Sequence, residues 1–276
     1  MKTPRVFITG GASGLGRALA ECFAKEGASV CLGDVDATQG ADTRQGLARH
    51  GWPVHFLHCD VTQEGDLRAA ADWLQQHWGG VDIVVNNAGV AQMGGIADVG
   101  LADWQWIVDI NLLGVVRGCK VFTPLFRRQG GGTFLNIASM AGMIHLPEAA
   151  AYNATKAAVV ALSETLQLEL EADRIRVSVA CPAFFRSDLA RHMRAATPAA
   201  ERTTQRLVER ARIGAEEVAR AIHRGLMAGE AHILTHPEGR MAWRLKRWLP
   251  YRWYLATLRR RMARLQLRMQ RPAGAA

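Results

Sequence analysis

Arg5-Val6-Phe7-Ile8-Thr9-Gly10-Gly11-Ala12-Ser13-Gly14-Leu15-Gly16 runs from a short apolar strand through a glycine-rich turn into a segment of helical periodicity. Glycines at 10, 14 and 16 let the backbone turn tightly and come close to a bound pyrophosphate. At the start of the following helix, unpaired N–H groups and the helix dipole favour negative charge. A glycine-rich turn by itself also fits a plain tight turn. Its place here, after a first strand and at the opening of a helix, is the context of a dinucleotide-binding unit.

Working outward, short runs of Val, Ile and Leu alternate with amphipathic segments. Strands are expected over residues 5–9, 28–33, 54–58, 81–85, 133–138, 175–181 and 231–235. Helices are expected over 15–26, 38–50, 64–78, 101–129, 148–171 and 216–228. Strands spaced by helices of this length are repeated βαβ units, and nearly continuous apolar strands are those covered on both faces. The expected fold is α/β, a Rossmann-like doubly wound parallel sheet. No Pro- or Ser-rich linker splits the body, so one domain is expected over 1–239, followed by a C-terminal extension over 240–276.

The second strand ends at Asp34, some 20 residues after the turn. A carboxylate there accepts hydrogen bonds from the ribose hydroxyls of NAD and repels a 2′-phosphate. Neither Ser13 nor Val35 supplies a cation for that phosphate, so NAD is favoured over NADP. Arg17 lies nearby on the helix.

Further along, the sequence resembles the short-chain dehydrogenase/reductase family, in its compact single-domain branch, from about residue 5 to residue 235. The resemblance rests on the T-G-x-x-x-G-x-G turn at 9–16, Cys59-Asp60-Val61 after the third strand and Asn86-Asn87-Ala88-Gly89 after the fourth. It continues with Asn111 on the long helix, Ser139 ending the fifth strand, Tyr152-Asn153-Ala154-Thr155-Lys156, and Pro182 after the sixth strand. The resemblance implies a cofactor lined by Gly10, Ser13, Gly14, Leu15, Gly16, Asp34, Asp60, Val61, Asn87, Ala88 and Gly89. At its far end Tyr152, Lys156, Pro182, Phe185 and Ser187 complete the lining. By the same resemblance Asp60 contacts the adenine ring, Lys156 holds the nicotinamide ribose, and Asn111 anchors a water that links Lys156 to solvent. The family has Pro-Gly after the sixth strand and a Thr soon after. Here the stretch is Pro182-Ala183-Phe184-Phe185-Arg186-Ser187, in which Ser187 can still offer a hydroxyl to the nicotinamide carboxamide.

Tyr152 and Lys156 stand four apart on a helix and so share a face. A free phenol, with a pKa of about 10, is a poor base at neutral pH. A nearby ammonium and a positive nicotinamide ring both favour the phenolate, which then takes the proton of an alcohol as hydride leaves carbon. Ser139 is expected to hydrogen-bond the substrate oxygen and steady its developing charge. The expected catalytic residues are therefore Asn111, Ser139, Tyr152 and Lys156. No His, Cys or Asp cluster has metal-ligand spacing, and no metal is expected.

The substrate walls are sought in the loops at the carboxyl ends of the strands. Met93, Ser139, His145 and Phe184 are the candidate substrate residues. Residues 183–213 are the expected lid, with Leu189, Met193 and Leu207 among many charges and a helix opened by Thr197-Pro198. Arg186 is the one fixed cation of these walls. They favour a hydrophobic alcohol or ketone over a sugar, an acid or a phosphorylated substrate. The leading expectation is an NAD-dependent alcohol dehydrogenase/ketone reductase. The alternatives are an NADP-dependent ketone or 3-oxoacyl reductase, or a cofactor-binding protein of little turnover tethered by its tail.

The charge is uneven. The chain has 34 Lys and Arg against 25 Asp and Glu, a net of +9. Eleven of the basic residues and none of the acidic ones lie in 240–276, which leaves a body of 23 basic and 25 acidic side chains, net −2. A near-neutral body argues against a nucleic-acid-binding domain. In the tail, Tyr251, Leu255, Leu258, Met262, Leu265 and Met269 form one stripe among arginines, broken from the preceding segment by Pro250. Such a basic amphipathic helix fits docking on protein or peripheral contact with an anionic membrane through 240–271, ahead of nucleic acid. A homodimer or homotetramer is expected by resemblance. Five widely spaced cysteines, no apolar secretory segment and no apolar run of spanning length point to a reduced, cytoplasmic protein.

Overall fold

The computed structural model describes residues 3–187 and 193–270, with side chains for all of these except 261–270. The first unit runs to Thr235 and the second begins at His236.

In the first unit the order is β1 (Arg5–Thr9), α1 (Gly14–Lys25), β2 (Ser29–Asp34), α2 (Ala37–Ala48), β3 (Val54–His58), α3 (Glu64–Trp78), β4 (Ile83–Asn86) and β5 (Gln92–Met93). There follow α4 (Leu101–Val108), α5 (Gly114–Gln129), β6 (Gly132–Ile137), α6 (Ala150–Glu169), β7 (Ile175–Ala180), β8 (Arg194–Ala195), α7 (Pro198–Glu209), α8 (Ala215–Met227) and β9 (His232–Ile233). Seven strands form one parallel sheet in the order β3-β2-β1-β4-β6-β7-β9. This is the expected Rossmann-like α/β architecture. The strand order reverses at β1, whose neighbours are β2 and β4, and ligands of open α/β sheets bind outside the carboxyl ends of the strands at such a point. β5 and β8 pair separately, Gln92 opposite Arg194 and Met93 opposite Ala195.

The central strands are buried on both faces, as all five residues of β1 are. On one face Leu19 and Phe23 of α1 meet Val218, Ile222 and Leu226 of α8 in a single apolar cluster. On the other, Phe7 packs against Phe122 of α5 with ring centroids 5.3 Å apart. Gly79 and Gly130 close α3 and α5 in the left-handed conformation, with φ of 69° and 83°. Thr197 caps α7 by accepting from the Ala200 N–H, and Pro198 follows at the first helical position. All five cysteines are free, four of them buried and Cys22 half-buried.

The segment 101–129, expected as one helix, is helical throughout but not uniform. Residues Asp109–Leu113 make a π-helical turn between α4 and α5. Such a turn inserts an extra residue and re-aims a side chain, most often at a functional site; here it contains Asn111.

The second unit comprises α9 (Pro237–Trp248) and α10 (Tyr251–Gln270). Leu249 between them is extended, with φ −84° and ψ 143°, because Pro250 excludes the helical region for the residue before it. The expected stripe on α10 is only partly outward. Tyr251 is exposed, but Leu255 and Leu258 are half-buried, and Met262, Leu265 and Met269 lie outside the residues with described side chains. Among the described residues no helix is long and apolar enough to cross a membrane.

Candidate active site

The turn between β1 and α1 is shaped by what its glycines exclude. A Cβ on Gly10 (φ +62°) would lie 2.8 Å from the Ala88 Cα, and one on Gly16 would collide with the Gly10 carbonyl. Gly14 (φ +49°) has nothing within 4 Å of its Cβ direction. The turn is therefore packed against its own fold at Gly10 and Gly16 and open at Gly14, where a ligand can approach the backbone. The N-cap of α1, Ser13, makes no side-chain cap, so the first-turn amides remain for an anion.

Three side chains hold the turn. Thr9 Oγ1 accepts from the Asn87 and Ala88 N–H groups at 3.0 and 3.1 Å. Asn87 Nδ2 donates to the carbonyls of Thr9 and Gly10 at 2.9 and 3.0 Å. Thr43 Oγ1 on α2 donates to the Ala12 carbonyl at 2.7 Å. The amide donors of Asn87 thus serve the turn, although the residue also faces the ligand cleft.

That cleft, of about 300 Å³, crosses the carboxyl ends of β2, β1, β4, β6 and β7. Gly10, Ser13, Gly14, Leu15, Gly16, Asp34, Asp60, Val61, Asn87, Ala88, Gly89, Tyr152, Lys156, Pro182, Phe185 and Ser187 all line it. Asn111, Ser139, Met93, His145 and Phe184 are not among its lining residues. At one end Asp34 accepts from the Ala12 N–H at 3.0 Å and the Asp36 N–H at 3.2 Å, which fixes its carboxylate at the cleft wall. Asp36 and Gln39 line the same end, and Asp36 also caps α2. Arg17 is exposed on α1 and is not part of the lining. Asp60 Oδ1 is occupied by the Thr62 N–H and hydroxyl, both at 2.8 Å.

At the other end α6 carries Tyr152 and Lys156 on one face, with the Lys156 Nζ 5.9 Å from the Tyr152 ring centroid. Lys156 is buried and donates to the Ile137 carbonyl at 3.0 Å. Burial pulls its ammonium down to a pKa of about 8. Burial raises the Tyr152 phenol above its ordinary value, and a hydrogen bond with Ser139 opposes the rise. Desolvation is the largest influence on both groups. Ser139 Oγ also accepts from the Ala141 N–H at 3.1 Å and donates to the Pro182 carbonyl at 3.3 Å, so its position is set by the loops after β6 and β7.

Asn111 is fully buried. Its Oδ1 accepts from the Val90 N–H and its Nδ2 donates to the Val90 carbonyl, both at 2.8 Å. A Cβ on Gly89 would lie 3.2 Å from Asn111 Oδ1 and 3.3 Å from Lys156 Nζ, so both groups flank this glycine. The partners of Asn111 are thus the backbone after β4 and, at 3.5 Å, the Thr155 hydroxyl on α6.

The loop after Ser139 rests on α6 through Gly142, whose Cβ would stand 2.6 Å from the Lys156 carbonyl carbon and oxygen. Gly142→Ala must push this loop away from the helix. We expect a loss of about 2 kcal/mol in a denaturant melt and a fall in kcat of about tenfold, as Ser139 and Tyr152 separate.

Around the substrate side, Met93 is half-buried on β5, Phe184 is 38% exposed, and His145 is exposed with Nδ1 3.1 Å from the Ala141 carbonyl. Arg186, expected as a fixed cation of the walls, donates to the carbonyls of Ala211 and Arg212 at 2.7 and 2.9 Å. It fastens the chain after β7 to the end of the lid. Arg194 stacks 4.0 Å over Trp106 and pairs with Asp103 at 2.9 Å, which ties β8 to α4. Leu189 lies outside the described residues. Among these, no group of three His, Cys, Asp or Glu is placed to hold a metal ion.

Sequence reasoning passed over Thr9 and Thr43 as supports of the turn, and Val35, Asp36, Gln39, Val90 and Ile110 as cleft residues. Asp36 carried a usable signal, since an Asp just before a helical segment is an N-cap whose carboxylate stays at the strand end. The supports depend on contacts between distant segments and carried none.

The profile of the family described as short chain dehydrogenase matches residues 4–198. A CLA biosynthesis dehydrogenase/reductase of Lactiplantibacillus plantarum is 34% identical over 187 residues, 67% of this chain but 65% of that protein, so slightly under two thirds of its length. A probable galactose dehydrogenase of Rhizobium meliloti is 35% identical over 178 residues, 64% of this chain and 70% of that one. Among solved structures, a short chain dehydrogenase/reductase from Burkholderia phymatum in complex with NAD superposes with a TM-score of 0.85 at 34% identity, covering 89% of this chain and 93% of that one.

Proposed function

The chain belongs to the short-chain dehydrogenase/reductase family of NAD(P)(H)-dependent oxidoreductases, and we propose that it interconverts a hydrophobic secondary alcohol and its ketone, with NAD as its cofactor. The observation that carries this reading is one continuous cleft with Asp34 at one end and the Tyr152–Lys156 pair at the other.

The open approach at Gly14 and the uncapped first turn of α1 fit a pyrophosphate. Asp34, Asp36 and Gln39 fit ribose hydroxyls and offer no cation to a 2′-phosphate. When bound, the nicotinamide supplies or accepts the hydride. The protein's part is the proton. Tyr152 Oη, kept protonated by burial, gives its proton to a ketone oxygen, and in the reverse direction takes the hydroxyl proton of an alcohol. Ser139 holds the same oxygen, steadied by Ala141 and Pro182. Lys156, fixed on the Ile137 carbonyl, places an ammonium beside the phenol and would offer a donor to a ribose hydroxyl of the bound cofactor. Asn111, through Val90 and beside Gly89, positions the lysine's surroundings and touches no reacting atom.

The substrate class follows from the walls. With Arg186 committed to backbone carbonyls, the described side chains of these loops are Met93, Met143, Ile144, His145, Leu146 and Phe184, apolar except for His145. None of them is a Lys or Arg that would pair with an acid or phosphate. Assembly into a homodimer or homotetramer is supported by the family's usual oligomery and by the exposed Leu113 and Leu168; light scattering on the purified chain reads the mass.

The test is NADH formation from a panel of aliphatic, aromatic and steroidal secondary alcohols, with sugars and hydroxy acids as the opposing arm. Turnover of sugars or hydroxy acids alone would overturn the substrate class. For the cofactor, Asp34→Ser should lower kcat/KM with NAD about tenfold and narrow its preference over NADP, since a neutral hydroxyl neither repels the 2′-phosphate nor binds the ribose as strongly. Tighter NADP than NAD binding in the wild type would remove the Asp34 argument.

A further inference from the structure

We propose that the second unit docks the enzyme on the surface of a bilayer that carries anionic lipid. The proposal is independent of the chemistry at Tyr152. In α9, Met241, Leu245 and Trp248 are spaced by four and three residues and therefore share one helix face, and they are 55, 37 and 83% exposed. Beyond the break at Leu249-Pro250, Tyr251 and Trp253 are each 68% exposed. Five exposed large apolar side chains thus fall within thirteen residues, 241–253. Around them Arg240, Arg244, Arg247, Arg252, Arg259 and Arg260 are exposed, and residues 240–276 hold eleven basic side chains and no acidic one, with Glu238 the single acidic residue of the unit.

The charge selects the occupant. A second copy of this segment brings the same sign and is repelled, and the rest of the chain, at net −2, offers little attraction. Nucleic acid satisfies the arginines but gives Met241 and Leu245 no apolar phase. An anionic interface satisfies both, with aliphatic and aromatic side chains at the acyl boundary and guanidinium groups among the headgroups. The association lies in the interface plane, since no described helix is apolar enough to span.

The test is co-sedimentation of the full chain with vesicles of mixed phosphatidylcholine and phosphatidylglycerol, against pure phosphatidylcholine. We expect binding to the mixed vesicles, at least about tenfold weaker binding to the neutral ones, and weakening with salt. The Trp248→Ser/Trp253→Ser variant should bind the mixed vesicles at least about tenfold more weakly, with an unchanged circular dichroism spectrum and unchanged NAD affinity. Arg247→Glu/Arg252→Glu should lose binding to the anionic vesicles alone. Equal sedimentation of wild type and tryptophan variant would overturn the proposal. So would tighter binding to a DNA duplex than to the vesicles, or a fall in oligomeric mass as the sole effect of the variants.

Discussion

Tyr152→Phe is expected to lower kcat/KM by about 10³-fold and to leave the NAD dissociation constant within about threefold of wild type. The substitution removes one oxygen from a half-buried ring that also helps to line the cofactor cleft. The ring still packs, but the proton donor and its hydrogen bond with Ser139 are gone. The pH dependence gives a second readout. Burial raises the Tyr152 pKa, so the phenol is protonated at neutral pH. Ketone reduction uses that form and is lost as pH rises through the phenol's pKa. Alcohol oxidation uses the phenolate and climbs over the same range. In Tyr152→Phe each limb should flatten to its own pH-independent residual rate. A variant that kept most of its turnover, or kept the oxidative limb, would remove Tyr152 from the proton transfer.

The frame of this site could be read from the residues alone because local chemistry sets it. Gly10, Gly14 and Gly16 stand where a strand must become a helix within a few residues. The apolar strands have little choice but a sheet covered on both faces, and the four-residue spacing of Tyr152 and Lys156 places them together on any helix. What stayed hidden depends on distant segments meeting. The π turn at Asp109–Leu113 interrupts nothing in the local pattern; it pairs with the burial of Asn111 against Val90. Arg186 reads as a free cation until the lid brings the Ala211 and Arg212 carbonyls to it. Thr9 reads as one more strand residue until Asn87 and Ala88 reach its hydroxyl. The weight of burial over charge at Lys156 has the same origin, because the depth of a helix face is a property of the packed layers above it.

Lys156→Met is expected to make the protein more stable at neutral pH and nearly inactive. The ammonium is 4% exposed and has a pKa of about 8 in the folded chain, against 10.5 for an ordinary lysine. Between these values the unfolded chain binds a proton that the folded chain has released, so stability rises with pH across that window. Below it the native state bears the full cost of burying a charge, on the order of 3 kcal/mol. Methionine fills a similar volume without that cost, but it leaves the Ile137 carbonyl without its donor, a loss of about 1–2 kcal/mol. The net expectation at pH 7 is a gain on the order of 1–2 kcal/mol, a rise of a few degrees in Tm. At pH above 10.5 wild-type Lys156 is neutral in both states, so the gain should vanish or reverse. Turnover should fall by at least about a hundredfold at every pH, because the ammonium beside the phenol is absent. Thermal melts at neutral and alkaline pH, paired with kcat, separate the two effects. A variant destabilised at pH 7 would mean that Lys156 is held in the fold as a structural donor, whereas a stabilised and inactive one shows a charge kept for chemistry at the expense of the fold.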